Sequence, residues 1–217
     1  MKKLILCLVL TFIFTLFPSC KKECEYLEKF SQLRENVLVC ETSTYFLTCY
    51  AEVKENPYLE DGEISTLENC LIFKLTFKDA SNTFENCKIK FCVDKSEYQG
   101  NFEFKPLTSF LYCTVKTQTL PKENLYVNVI LDDKSEGVEL VSVRKSSTVS
   151  YCKAIESLKS QDKSVNDYLN SDYEIRIRLI YSGNYNYWYI GFISKGNRVS
   201  YLLDGETAEM IAKKNGL

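Results

Sequence analysis

The chain has 217 residues and a formal net charge of −2, and 45% of it is apolar and 13% aromatic; that is too apolar for a disordered chain and long enough for one large or two small cores. This charge gives no basic footprint for nucleic acid, so no nucleic-acid partner is expected. The absence of histidine removes Ser-His-Asp and Cys-His catalysis, histidine zinc sites and a histidine general base.

At the N-terminus Lys2 and Lys3 precede an apolar run from Leu4 to Phe17, which stops at Pro18-Ser19-Cys20. A basic start, a greasy centre and a small residue before the cut make residues 1–19 an export signal. The run is shorter than the roughly 20 residues a spanning helix needs. A cysteine directly after Ser19 fits a bacterial lipoprotein signal, in which Cys20 becomes the lipidated first residue. An ordinary signal-peptidase cut, which would put Phe17 at −3, and an uncleaved anchor are the alternatives. The expected location is therefore outside the cytoplasm, held to the cell membrane by the N-terminal lipid. Losing Lys2 and Lys3 with the signal takes the net charge from −2 to −4. Lysine outnumbers arginine 22 to 5 and none of the 14 asparagines starts a glycosylation sequon, a composition that points to a bacterium.

Residues 20–35 read as a tether, charged over Lys21-Lys22-Glu23-Cys24-Glu25, with a short helix over Glu25–Arg34. From Asn36 to about Val143 short alternating segments are separated by turn residues. Tyr45, Leu47, Cys49, Ala51 and Val53 form one such segment; Leu71, Phe73, Leu75 and Phe77 another; Leu125, Val127, Val129 and Leu131 a third. Seven or eight strands without intervening helices predict an antiparallel immunoglobulin-like β-sandwich over residues 36–145. After a short basic linker, Arg144–Thr148, Ser150–Asn170 shows helical spacing in two pieces, with Asp162 placed to cap the second. Alternating strands follow over Tyr173–Tyr181, Tyr185–Ile193 and Val199–Leu203, with a last edge strand at Ala208–Lys213. Residues 150–217 are thus a small α+β unit, a helix followed by an antiparallel meander, and the fold class is mainly β.

Once Cys7 leaves with the signal and Cys20 carries lipid, eight cysteines remain. In an exported chain they permit up to four disulfides, or they serve as small buried hydrophobes. On a strand, Cys87 shares a face with Ile89, Phe91 and Val93 while Cys92 points the other way, so these two neither bridge nor share a metal ion. No Cys-x-x-Cys occurs. Asp132-Asp133 and Glu60-Asp61-Gly62-Glu63 read as solvated turns. No catalytic residue, cofactor or metal ligand is assigned, and the chain is expected not to be an enzyme; a carboxylate-dependent extracytoplasmic hydrolase is the remaining enzymatic reading.

The densest feature is the aromatic strand from Tyr185 to Phe192. Tyr185, Tyr187 and Tyr189 line one face; Trp188, Ile190 and Phe192 line the other. Tyr185, Tyr187, Trp188 and Tyr189 are the candidate contact surface for a protein, peptide or glycan, because such rings join a wide apolar face to a polar tip. Plain packing of both faces is the competing reading.

Leu203-Asp204-Gly205-Glu206-Thr207-Ala208-Glu209 resembles the Asp-x-x-Thr-Gly-Glu run that closes PepSY-like modules, with alanine where the pattern has glycine. The resemblance implies an exported helix-plus-meander module and, as an alternative function, restraint of an exported peptidase. The segments Lys54–Gly62 and Tyr98–Pro106 resemble uncharacterised lipoproteins of Gram-positive, clostridia-like bacteria. That resemblance implies export and a β-rich fold. The leading expectation is a non-enzymatic, lipid-anchored envelope protein that binds a protein, peptide or glycan.

Overall fold

The computed structural model describes residues 24, 26–59, 61–79, 84–104 and 109–216, so Cys20 and the signal segment lie outside the described residues. The chain is mainly β, 57% strand and 11% helix, built as a large antiparallel, nearly barrel-shaped sheet with a small helical unit. Nine strands come first: β1 (Phe30–Glu41), β2 (Tyr45–Glu55), β3 (Leu67–Phe77), β4 (Cys87–Val93), β5 (Ser96–Asn101), β6 (Glu103–Phe104), β7 (Leu111–Lys116), β8 (Leu125–Leu131) and β9 (Lys134–Ser142). Helices α1 (Tyr151–Gln161) and α2 (Ser164–Asn170) follow, then the meander β10 (Glu174–Ser182), β11 (Tyr185–Ser194), β12 (Asn197–Asp204) and β13 (Met210–Gly216).

Strands β6-β7-β3-β2-β1 form one wall and β5-β4-β8-β9 the other, and β9 pairs with β1 to join them. At the open side Tyr98 of β5 stacks on Phe91 at 5.5 Å, and its hydroxyl accepts from the Gln118 amide just beyond β7. The core between the walls is made by the alternating positions named above, among them Leu47, Cys49, Phe73, Ile89, Phe91 and Val127. In β4, Cys87, Ile89, Phe91 and Val93 are buried while Lys88, Lys90 and Cys92 are exposed, as the period of two requires.

A second core lies between the helices and the meander. Ala154, Ile155 and Leu158 of α1 and Val165 and Leu169 of α2 cover Ile175, Ile177, Leu179, Trp188, Ile190 and Phe192. Ser150 caps α1 by accepting from the Lys153 amide, a contact of about 1 kcal/mol. Asp162 stands one residue before the cap position of α2 rather than on it; it accepts from the Ser164 amide and hydroxyl. Its other oxygen accepts from Tyr201 at 2.9 Å and Lys213 at 2.7 Å, tying the helix junction to β12 and β13. Lys213 first, then Ser164 and Tyr201, hold this carboxyl well below the usual carboxylate range.

Three expectations change. The short helix over Glu25–Arg34 reduces to a single 3-10 turn, Leu27–Lys29, and Phe30 already begins β1. Phe30, Leu33 and Val37 have helical spacing, but irregularities after Phe30 and after Arg34 reset the strand's phase and bring all three into the helix-side core. The residues expected to be tether therefore run into the sheet: Phe30–Arg34 pair in parallel with Ile175–Arg178 of β10, so the meander continues the same sheet as β1. The last strand also starts later than expected, at Met210.

Residues Asp204–Glu209 form the turn between β12 and β13. Asp204 Oδ1 accepts from the amides of Glu206 and Thr207, both at 2.8 Å, which hold this carboxyl below its ordinary value. Ala208 takes a left-handed φ of 60°, the region that favours glycine. The Gly205 amide donates to Asn186 O at 2.8 Å, and a Cβ on Gly205 would run into that carbonyl. Because the obstacle is backbone, Gly205→Ala is expected to destabilise the protein by about 2 kcal/mol or more, read as a lowered urea midpoint at unchanged slope.

Candidate functional site

The register of five strands sets the site. One row across the sheet reads Glu52, Arg34, Arg178, Tyr189 and Leu202; the next reads Lys54, Gln32, Arg176, Gly191 and Ser200; a third holds Glu174, Ile193 and Arg198. Cross-strand neighbours share a face, so Arg34, Arg176, Arg178 and Arg198, four of the five arginines in the chain, stand together on the side of the sheet away from the helices.

Arg34 and Arg178 are direct neighbours on parallel strands, an arrangement that by itself repels. A relay between them offsets this. Arg178 Nε donates to Gln32 Oε1 at 2.6 Å, and Gln32 Nε2 donates to Glu52 Oε2 at 2.9 Å. Arg34 donates to the same oxygen through Nε at 2.9 Å and Nη2 at 2.7 Å. Glu52 is almost fully buried, with Lys54 Nζ 3.9 Å from its other oxygen. Arg34 lies over the Tyr50 ring at 4.2 Å and Arg178 over Tyr189 at 5.6 Å. Guanidinium suits these places because it is planar, weakly hydrated and stacks on rings, which ammonium does not.

Arg176 is buried, 3.3 Å from Glu174 Oε1 and 4.0 Å from the centre of the Tyr58 ring. Burial, and then the charges of Arg178 and Arg198, push its pKa down to about 10. Burial and Arg34 lower Arg178 as well. Glu55, buried at the end of β2, accepts from the Ser65 amide at 2.7 Å and so fixes the loop that carries Tyr58. Among the described residues, Arg34, Lys54, Arg176, Arg178 and Arg198 thus stand on this face with the carboxylates Glu52 and Glu174.

The aromatic strand divides as its alternation requires. Tyr185 is exposed, Tyr187 and Tyr189 are half-buried, and Tyr189 joins the arginine face. Its ring folds over Gly191, where a Cβ would meet the ring and hydroxyl. Trp188 points the opposite way and is fully buried, its indole N–H donating to Val149 O at 3.1 Å. It is a core residue, which corrects its place in the candidate surface.

The arginines and Glu52 were not singled out from the sequence. In the sequence, Glu174, Arg176 and Arg178 are simply the polar positions that alternate with Ile175, Ile177 and Leu179 in the strand Tyr173–Tyr181. The available signal was the choice of arginine twice on one face in a chain with 22 lysines. Among the described residues no group of three or more His, Cys, Asp or Glu side chains is placed to hold a metal ion. No family model, curated protein or solved structure matches the chain.

Removing the Glu52 charge leaves Arg34 and Arg178 facing each other with only an amide between them. Glu52→Gln is expected to cost about 3 kcal/mol in urea unfolding. Replacing both partners, Glu52→Leu with Arg34→Met, is expected to cost less than Glu52→Gln alone.

Proposed function

We propose that this protein is an exported, lipid-anchored binding module of the bacterial cell envelope, attached through Cys20, whose ligand is an acidic segment of a protein, peptide or glycan. The observation that carries the reading is the convergence of four arginines with Tyr187 and Tyr189 on one face of the sheet, where Arg34, Arg178, Arg198, Tyr187 and Tyr189 are part-exposed. Arginine offers a fork of donors to carboxylate or sulfate groups, and tyrosine offers a ring beside a hydroxyl; together they recognise an anionic, partly apolar chain without any reacting group. The chain as a whole is acidic, so recognition of this kind is local and sensitive to salt. Anchoring to a surface also raises the effective concentration of a weak binder beside envelope polymers.

Calorimetric titration of the full mature protein with matched acidic and neutral peptides and oligosaccharides tests the reading. Acidic members are expected to bind, at least tenfold more weakly at 300 mM than at 50 mM salt. Arg178→Gln and Tyr189→Ala are each expected to weaken binding about tenfold, or about 1.4 kcal/mol. Tyr126→Ala, at an exposed ring on β8, is the unaffected control. Neutral members binding as well as acidic ones, or unchanged affinity in both variants, would reject it. Separately, the intact mass of the native protein is expected to equal residues 20–217 plus acyl chains, and Cys20→Ser is expected to abolish the added mass.

A further inference from the structure

Three guanidinium groups of the arginine face lie over tyrosine rings, and one of those rings has a different origin from the others. Tyr50, 4.2 Å from Arg34, stands on β2, and Tyr189, 5.6 Å from Arg178, stands on β11. In the row of Arg176 the neighbours are Gln32 on β1 and Gly191 on β11, so that row supplies no ring. The ring 4.0 Å from Arg176 is Tyr58, carried by the loop between β2 and β3. Arg176 is only 3% exposed, although Arg34, Arg178 and Arg198 on the same face are part-exposed.

This loop is fastened at two places. At its base the Asn56 amide donates to Thr66 O at 3.0 Å and the Ser65 amide to Glu55 Oε1 at 2.7 Å. Farther out, Gly62 takes a left-handed φ of 84° and seats against the meander; a Cβ there would stand 3.3 Å from both Asp172 O and Ser194 Cα. None of residues 56–59 and 61–66 is buried, and Tyr58 itself is 43% exposed. A segment that buries so little of itself opens at small cost to the cores beneath it. The loop is thus a cover over the least exposed arginine of the face, closed by one ring stack and one tight backbone seat.

We propose that this loop is a built-in competitor for the arginine face, and that the ligand it competes with is a peptide segment carrying an aromatic residue beside acidic ones. The proposal rests on the acidic-ligand reading above and narrows it to peptide. A stacked guanidinium keeps its N–H donors in the plane of the fork, so it takes a ring over its face and a carboxylate at its edge together. Tyr58 fills the first of these places in the closed protein, and Asp61 and Glu63 follow it in the same loop. A ligand that brings its own ring displaces Tyr58, and its affinity is reduced in proportion to the fraction of molecules in which the loop is open. A ligand with carboxylates alone meets Arg34, Arg178 and Arg198 without opening the loop.

The test compares the full mature protein with Tyr58→Ala, Tyr58→Phe and Gly62→Ala, each shown to be folded by a cooperative urea transition. Gly62→Ala keeps the ring but puts a side chain on a left-handed φ and against the facing backbone, so it unseats the loop. Modification of arginines by phenylglyoxal, followed by peptide mass, is expected to be at least about fivefold faster at Arg176 in Tyr58→Ala and Gly62→Ala, with Tyr58→Phe like wild type and Arg144 unchanged throughout. In calorimetric titrations the peptide Glu-Tyr-Glu-Tyr-Glu is expected to bind both opened variants about tenfold more tightly than wild type, and Glu-Leu-Glu-Leu-Glu to bind all forms alike. Equal labelling of Arg176 in wild type and both opened variants would overturn the cover. A leucine peptide that gains as much as the tyrosine peptide would overturn the competition for the ring. Faster labelling with neither peptide bound to any form would overturn the acidic-ligand reading, and the competitor with it, while leaving the closed loop in place.

Discussion

Every other part of this protein depends on the two edges of β1. One edge pairs with β2 from Gln32 to Glu41, while the other is divided, pairing in parallel with β10 over Phe30–Arg34 and antiparallel with β9 at Leu38 and Val39. The hand-over falls at Asn36, where the register slips. There the buried Asn36 Oδ1 accepts from the Ser142 hydroxyl at 2.8 Å, and the Val143 amide donates to Val37 O. The slip lets one strand serve two cores. Leu33 and Val37 pack under the helices, and Leu38 packs inside the barrel-like part. A parallel pair cannot be closed by a tight turn, so the whole stretch from β2 to α2 is the crossover between β1 and β10, and its closure entropy is met by both cores together.

The same parallel pairing creates the arginine face. It places Arg34 beside Arg178 and Gln32 beside Arg176, which no local segment could do. Desolvated guanidinium groups side by side work against stability, and hydrophobic residues of similar volume would serve the fold as well or better. The structure tolerates them through one buried carboxylate, one bridging amide and two tyrosine rings. A costly arrangement held in this way, on the face of the meander turned away from the helices, is the physical reason to read it as a place of contact rather than as scaffold.

The N-terminal segment adds a third use of β1. The turn at Leu27–Lys29 leads straight into Phe30, so whatever holds residues 26–29 also holds the start of the central strand. Lys29 reaches the last carbonyls of α2, and Tyr26 reaches α1. These contacts tie the start of the central strand to both helices.

Alternation within a strand is a property of consecutive residues, and wherever the argument was local the sequence was enough. The inward and outward faces of β4, the split of Tyr187 and Tyr189 from Trp188, the two-piece helix and the mainly β class were all legible from spacing alone, because the side-chain periods of strand and helix are set by backbone sterics. The start of β1 was misread because a bulge imitates helical spacing, and one irregular residue shifts the phase of all that follow. The arginine face could not be read, because Arg34 stands more than a hundred residues before Arg176, Arg178 and Arg198 and shares no period with them. Only the choice of partner strand brings Arg34 to Arg178, and that choice is made by which apolar faces can be buried together over the whole chain, a condition no single segment carries.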